Sequence, residues 1–168
     1  MADAPLRLEV TCLGNICRSP MAHVVLEQRL ADAGLADDVV VTSSGTGGWH
    51  EGEAMDERAA AALRDAGYDP SRHRARTFTR DTYAETDLML AMDASNLADM
   101  TDLAPTVADA GRVRMFRSFD PEATEGDEEV DDPWYGGPEG FQRVLAVVER
   151  TSDAIVAAVP RLRAEATG

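Results

Sequence analysis

The segment TCLGNICRSPMA (residues 11–22) places two cysteines and an arginine within seven consecutive positions. Cys12 and Cys17 are the only cysteines in the sequence, and Arg18 follows Cys12 by six residues. A thiolate is a strong nucleophile, and a guanidinium group can bind two oxygens of one phosphate group at once. Four uses of the segment must therefore be compared: a disulfide, half of a metal site, part of the core, or a catalytic loop.

The elements on either side of the segment favour a catalytic loop. LRLEVTC (6–12) alternates apolar and polar residues, which predicts a strand, and the apolar stripe of residues 20–33 predicts a helix. Cys12 then ends a strand, and open parallel sheets bind ligands at the carboxyl ends of their strands. The backbone N–H groups in front of a helix form a cradle for an anion. Together with Arg18, they favour the thiolate form of Cys12.

The other three uses fit the residues less well. The cysteines have the spacing C-x4-C, and no second group of cysteines or histidines is placed to complete a zinc site. Two cysteines do not form a disulfide framework, and Gly14 and Ser19 favour a loop over core packing. The histidines are scattered along the chain, as is typical of surface or hydrogen-bonding residues: His23, His50 and His73.

Strands and helices alternate along the rest of the chain. Further strands are predicted at 39–46, 87–93 and 112–119, and further helices at 54–68, 94–103 and 139–166. This alternation predicts an α/β fold, with a parallel sheet, helices on both faces and an anion-binding loop after the first strand. The acidic stretch 120–137 is the one long loop, and such a loop is either functional or mobile. Without repeats or linkers, residues 1–168 are expected to form a single domain.

The composition limits the partners that the chain can bind. The formal net charge of −15 argues against general nucleic-acid binding, because phosphate contacts require a basic surface. No apolar run approaches the ~20 residues that span a bilayer, and MADAPLRLEV lacks the basic and apolar regions of a secretory signal. With only two cysteines, the protein is expected in the reducing cytoplasm. It is also expected to be a monomer without nucleic-acid or membrane partners.

The motifs CLGNICRSP (12–20) and DPWYG (132–136) closely resemble those of the low-molecular-weight protein tyrosine phosphatases. The resemblance covers essentially the whole chain, through SSGTGGWHEGEAMDERA (43–59) and AMDASNL (91–97). It implies a doubly wound four-stranded sheet and a two-step hydrolysis of phosphotyrosine through a phosphocysteine intermediate. Phosphotyrosine proteins would be the substrates and inorganic phosphate the product, and no metal or organic cofactor would be needed.

The resemblance also implies a role for each residue that matches a family motif. Cys12 would attack phosphorus as a thiolate, and Arg18 would bind phosphoryl oxygens and stabilise the transition state. Asp132 would give a proton to the phenolate leaving group and later accept one from the attacking water. Asn15 would hold the loop in shape, and the Ser19 hydroxyl would hydrogen-bond to the sulfur of Cys12.

The remaining matching residues would bind the substrate. Loop N–H groups hold the phosphoryl oxygens, so the predicted binding site includes Leu13, Gly14, Ile16 and Cys17. Three aromatic residues would form the walls of a deep cleft that selects aryl over short alkyl phosphates: Trp49, Trp134 and Tyr135.

Cys17 has a second predicted role. It is expected to form a disulfide with oxidised Cys12 and so to protect the nucleophile from overoxidation. The resemblance also suggests that His50, His73 and Asp93 belong to a hydrogen-bond network that supports the loop, and neither these residues nor Asp131 are assigned a catalytic role.

Three other functions are compared with that of a tyrosine phosphatase. A thioredoxin-coupled arsenate reductase uses a similar anion loop but needs further cysteines downstream, and none follows Cys17. A protein arginine phosphatase tends to carry threonine where this chain has Ile16, whose bulk should crowd phosphoarginine; this is the second candidate. The joint presence of Cys12, Arg18 and Asp132 argues against a non-catalytic phosphotyrosine-binding module.

Overall fold

Four parallel strands form the sheet in the part of the chain that the structure describes, residues 4–167. In this computed structural model the strands are Leu6–Cys12 (β1), Val39–Gly45 (β2), Leu88–Ala91 (β3) and Val113–Met115 (β4). Their order in the sheet is β2-β1-β3-β4, and each neighbouring pair runs parallel. The α/β fold with a doubly wound four-stranded sheet is therefore confirmed.

Helices cover both faces of this sheet. They are Arg18–Asp32 (α1), Glu57–Asp65 (α2), Thr82–Glu85 (α3), Ala94–Asp102 (α4), Val107–Ala110 (α5) and Pro138–Thr167 (α6). On one face α1 and α6 pack against each other and against β1, and α4 packs against β3 and β4 on the other. Within residues 4–167, the structure has no helix with the length and apolar character needed to cross a membrane.

The sheet divides the core into two clusters of apolar side chains. Leu8 and Val10 of β1 are fully buried in the larger cluster, together with Met21 of α1. Because side chains alternate along a strand, the next residues of β1 point to the opposite face, where Phe78 and Met89 belong to the smaller cluster. Burial of one such side chain stabilises the fold by about 1.5–3 kcal/mol.

The last predicted strand was wrong in length. The sequence predicted a strand over 112–119, but only Val113–Met115 is extended, and Phe116–Phe119 forms a 3-10 turn. That turn brings Nε of Arg117 to 2.8 Å from a carboxylate oxygen of Asp120, three residues later. The ion pair therefore accounts for the early end of the strand.

The first helix begins two residues earlier than predicted. The predicted helix began at Pro20, whereas α1 already includes Arg18 and Ser19. Pro20 lies in the first turn, where backbone N–H groups have no partner within the helix, so the missing N–H of proline has no cost there. The four-residue helices α3 and α5 were not predicted, because four residues are too few to show a helical period.

The strand order defines where the site forms. The chain leaves β1 toward β2 on one side and returns to β3 on the other, so the carboxyl ends of β1 and β3 border a crevice. Cys12 is the last residue of β1, and Asp93 lies two residues after β3. The fold therefore places both residues at the same edge of the sheet.

A buried carboxylate ties the long acidic loop to the body of the fold. Asp120 accepts hydrogen bonds from Nε and Nη2 of Arg150, at 2.7 and 2.9 Å, and from Arg117. The Arg150 guanidinium, assisted by Arg117, holds the pKa of Asp120 well below its usual range. Nη1 of Arg117 also donates to the carbonyl oxygen of Glu129 at 2.9 Å, so the same group restrains the chain just before Asp132.

We expect Asp120→Asn to lower the free energy of unfolding by about 2–3 kcal/mol at neutral pH, because it leaves the buried Arg117 with only the more distant, exposed carboxylate of Asp127. The pKa of Asp120 is lower in the folded protein than its ordinary value of 3.8. The ionised Asp120 therefore contributes fully to the free energy of unfolding well above pH 3.8, and this contribution is lost as the pH falls below that value. Urea unfolding of both proteins at neutral pH and at about pH 3 measures this; the difference should shrink in acid, and a constant difference would contradict it.

Candidate active site

The loop Cys12–Arg18 joins the end of β1 to the start of α1 and lies against Gly45 at the end of β2. A Cβ on Gly45 would lie 2.7 Å from the carbonyl oxygen of Leu13 and 2.9 Å from the backbone nitrogen of Asn15. Only glycine therefore lets the loop lie this close to the sheet. This close contact determines the distance between the loop and the carboxyl end of β2.

A short chain of hydrogen bonds connects the interior of the loop to the thiol of Cys12. Oγ of Ser19 lies 3.0 Å from Sγ of Cys12. Nδ2 of Asn15 donates to the same hydroxyl oxygen at 2.8 Å. Asn15 and Ser19 are fully buried behind the loop, so water does not compete for these bonds.

Asn15 has a left-handed backbone conformation, with φ of 58°. Its carbonyl oxygen accepts a hydrogen bond from Nε2 of His73 at 2.7 Å, and its Oδ1 accepts one from the backbone N–H of Arg76 at 3.0 Å. Burial lowers the pKa of His73, which favours the neutral ring with its proton on Nε2. His73 thus holds the loop through a hydrogen bond to its backbone.

Arg18 is buried, with only 3% of its side chain exposed. Its Nη1 donates to Oδ2 of Asp93 at 2.7 Å and to the carbonyl oxygen of Val130 at 3.0 Å. Its Nη2 lies 3.7 Å from Oδ2 of Asp132. One side of the guanidinium is therefore fixed by Asp93 and Val130, and the other side faces Asp132.

The loop forms the floor of a cleft of about 270 Å³. Trp49 and Tyr135 are 72% and 93% exposed, so their rings stand at the rim rather than in the core. Of the residues predicted for the site, all but the buried Asn15 and Ser19 line this cleft: Cys12, Leu13, Gly14, Ile16, Cys17, Arg18, Trp49, Asp132, Trp134 and Tyr135.

His50 also lines the cleft, although it was not predicted as a site residue. Its ring centroid lies 6.2 Å from that of Trp134, and its Nδ1 pairs with Glu53. A Cβ on Gly14 would lie 3.1 Å from Cδ2 of His50, so the glycine allows the ring to pack on the loop. Asp131 is exposed and lines a neighbouring groove instead of the cleft.

Arg58 attaches the segment that carries Asp132 to the rest of the site. Its Nη1 donates to the carbonyl oxygens of Trp134 and Gly136, each at 3.0 Å, and its guanidinium lies 5.4 Å from the ring of Trp134. Its Nη2 pairs with Asp56 at 3.1 Å. Within the segment, Oδ1 of Asp132 accepts the N–H of Trp134 at 3.1 Å.

Asp56 connects this attachment to the loop. It is the N-cap of α2, and its backbone N–H donates to the carbonyl oxygen of Ile16 at 2.8 Å. The sequence analysis missed Asp56 and Arg58. The available signal was an aspartate directly before a helix, followed two residues later by an arginine on the first turn.

No group of three or more histidine, cysteine, aspartate or glutamate side chains within residues 4–167 is arranged to hold a metal ion. The positive charge next to Cys12 in the described cleft is that of Arg18. An anion that entered the cleft would therefore meet the guanidinium of Arg18.

Comparison with known proteins decides the family of the chain. The family model for low molecular weight phosphotyrosine protein phosphatase matches residues 7–165. A low molecular weight protein-tyrosine-phosphatase of Streptomyces coelicolor is 48% identical over 153 residues, covering 91% of this chain and 93% of that protein. The chain belongs to the low molecular weight phosphotyrosine protein phosphatase family. The resemblance inferred from CLGNICRSP and DPWYG is confirmed.

Other members of the phosphatase family agree in sequence and in structure. Low molecular weight protein-tyrosine phosphatase A of Mycobacterium tuberculosis is 46% identical, covering 89% of this chain and 88% of that protein. A crystal structure of a protein tyrosine phosphatase from Entamoeba histolytica, with Hepes in the active site, matches with a TM-score of 0.87 at 28% identity. It covers 93% of this chain and 97% of that chain.

A low molecular weight phosphotyrosine phosphatase from Vibrio cholerae matches with a TM-score of 0.83 at 33% identity. This match covers 91% of the present chain and 95% of that one. The phosphatase fold is therefore shared over almost the full length of both chains.

We expect Arg58→Met to loosen the segment 132–137, because two carbonyl oxygens lose their donor. Amide hydrogen exchange of Trp134 and Gly136 should become about tenfold faster. Arg64→Met is the matched control, since Arg64 lies on the same helix and pairs with the exposed Glu57. Equal exchange rates in both variants would show that Arg58 does not hold the segment.

Proposed function

We propose that this phosphatase hydrolyses phosphotyrosine in proteins, with Cys12 as nucleophile, Arg18 as phosphate ligand and Asp132 as general acid and base. One observation carries the proposal. Cys12 and Arg18 lie at the two ends of the loop that precedes α1, and Asp132 faces Arg18 across the cleft. A nucleophile, an anion site and a proton donor thus converge on the same small volume.

Hydrogen bonding supports an ionised nucleophile at Cys12. Nδ2 of Asn15 donates to the oxygen of Ser19, which leaves the one hydroxyl proton of Ser19 for either the sulfur, at 3.0 Å, or the carbonyl oxygen of Ser44, at 3.3 Å. A thiolate is the stronger acceptor of the two, so the proton goes to the sulfur when Cys12 is ionised. The N-terminus of α1 and the guanidinium of Arg18 add positive potential at the same place. These three influences all favour the thiolate over the thiol.

In the first step, Sγ of Cys12 forms a bond to phosphorus as the bond from phosphorus to the phenolic oxygen breaks. Asp132 gives its proton to that oxygen, so tyrosine leaves as a neutral phenol. Nη1 of Arg18 is held by Asp93 and Val130, which leaves its remaining N–H groups for phosphoryl oxygens. The loop N–H groups bind the other oxygens as negative charge shifts in the transition state.

In the second step, a water molecule attacks the phosphocysteine. Asp132, now a carboxylate, accepts a proton from the water, and the sulfur leaves as a thiolate. Ser19 donates again to that sulfur, so the same hydrogen bond assists its departure. Inorganic phosphate is the product, and the enzyme returns to its starting protonation state.

The cleft supports an aromatic phosphate as the substrate. Trp49, Trp134 and Tyr135 border the cleft and can contact the ring of phosphotyrosine, whereas the phosphate of a serine would not reach the loop between these walls. Protein arginine phosphatase is the second candidate, and Ile16, which lines the cleft, argues against it through its bulk. We further propose that residues 1–168 act as one domain, as a monomer, in the cytoplasm.

Phosphotyrosine, phosphoserine and phosphoarginine peptides test the proposal with three proteins. We expect wild type to hydrolyse only phosphotyrosine at high rate, Cys12→Ser to bind it without turnover, and Asp132→Ala to lose about 10²–10⁴-fold in kcat. Preference for phosphoarginine would select the second candidate. Binding without turnover by the wild type would select a non-catalytic module, and equal hydrolysis of phosphoserine would contradict selection by the cleft.

Cys17 is proposed to protect Cys12 from irreversible oxidation. Burial, and after it the negative charge of Asp56, raises the pKa of the Cys17 thiol, so peroxide oxidises Cys12 first. The sulfenic acid on Cys12 then reacts with the Cys17 thiol, releasing water and forming a disulfide. Peroxide-treated wild type should recover its activity with a thiol reductant, and Cys17→Ser should not; full recovery of Cys17→Ser would exclude this role.

A further inference from the structure

A carboxylate lies inside the sheet at a position that the proposed mechanism does not use. Glu9 is in the middle of β1, with no exposed surface, and it points to the face opposite the apolar residues Leu8 and Val10. Its neighbours in the sheet are Thr42 of β2 and Met89 of β3. An ionised group at such a place is costly unless other groups pair with it.

Only one of the two carboxylate oxygens of Glu9 is paired within the described residues. Oε1 accepts a hydrogen bond from the hydroxyl of Thr42 and lies 3.2 Å from Nη2 of Arg76. Oε2 is fully buried and has no hydrogen-bond partner in residues 4–167. The contact between Glu9 and Arg76 is therefore a poor source of stability.

The backbone of Arg76 holds the phosphate-binding loop. Its N–H donates to Oδ1 of Asn15 at 3.0 Å, and its carbonyl oxygen accepts the N–H of Gly45 at 2.9 Å. The side chain of Arg76 points to Glu9, which lies on the same strand as Cys12. One residue thus links a buried anion of β1 to the side chain that orients Ser19.

We propose that Glu9 and Arg76 are positioning residues for the phosphatase reaction. The carboxylate of Glu9 fixes the side chain of Arg76, and Arg76 in turn fixes the N–H that holds Asn15. Asn15 then directs the Ser19 hydroxyl to the sulfur of Cys12. This inference rests on the proposed roles of Cys12 and Arg18, since it explains how the loop that bears them is held.

Glu9 is more deeply buried than Arg76, so an effect on the position of the loop can be separated from an effect on the stability of the protein. The side chain of Arg76 is 42% exposed, so it can turn to water when Glu9 is removed. Thr42 keeps the carbonyl oxygen of Leu8 as a second acceptor, at 3.5 Å. Glu9→Met therefore removes a buried charge without leaving another one unpaired, whereas Arg76→Met leaves Glu9 buried without its cation.

Glu9→Met is thus expected to have a melting temperature equal to or above that of wild type, together with a kcat for p-nitrophenyl phosphate about 3–10-fold lower. Two further readouts do not require turnover: the dissociation constant of inorganic phosphate, measured by calorimetry, should rise, and alkylation of Cys12 by iodoacetate should slow by a similar factor. Arg76→Met should lose both stability and activity, and Arg76→Lys should restore most of the activity.

The double variant Glu9→Met with Arg76→Met gives the same test if either single variant unfolds. It should recover the melting temperature while kcat stays low, because the buried charge and the contact are both gone. Arg7→Met is the control. It breaks an ion pair in which Nη2 of Arg7 lies 3.2 Å from Oδ1 of Asp87, at the amino end of β1 and remote from the loop. This variant should keep the wild-type kcat.

Wild-type values of kcat, phosphate affinity and alkylation rate in Glu9→Met would overturn the proposal and leave the pair a structural one. Recovery of both stability and kcat in the double variant would overturn it as well. Failure of the proposed function is a distinct result, recognised by phosphotyrosine turnover in Cys12→Ser. Phosphate binding and alkylation still test Glu9 and Arg76 in that case.

Discussion

The shape of the phosphate-binding loop depends on how Asn15 is held. A left-handed backbone is unfavourable for a residue with a side chain, so neighbouring groups must maintain it. The neutral ring of His73 and the N–H of Arg76 do so from one segment, and the amide of Asn15 passes the constraint to Ser19. The orientation of the Ser19 hydroxyl toward the Cys12 sulfur therefore depends on His73 and Arg76, which lie 58 and 61 positions after Asn15 in the chain.

Arg18 has a comparable place in the other half of the site. Its guanidinium joins the first loop to Asp93 after β3 and to Val130 in the acidic loop, so three separate parts of the chain meet on one buried cation. A charge in such surroundings would be costly without partners. Here the partners also orient the guanidinium, because the N–H groups that they hold determine where its free N–H groups point.

The sequence was sufficient to predict the sheet from local signals, and most residues of the cleft from short motifs that resemble those of the phosphatase family. Alternation along β1, the helix behind Arg18 and the Asp-Pro-aromatic segment are all contiguous. The partners of His50 and His73, and the contacts of Arg58 and Glu9, could not be predicted, because each depends on elements brought together by the fold. The end of β4 was missed for the same reason: the carboxylate that favours the turn at Arg117 is itself held by Arg150, from α6.

Arg58 donates its hydrogen bonds to the carbonyl oxygens of Trp134 and Gly136, an attachment separate from the contact of its guanidinium with the Trp134 ring. Every amino acid has a carbonyl oxygen, so this attachment survives substitution at positions 134 and 135. The rim of the cleft can thus change its chemistry over evolutionary time while the carboxylate of Asp132 stays in register with the loop. Recognition and proton transfer are then separately adjustable, although their residues are adjacent in the chain.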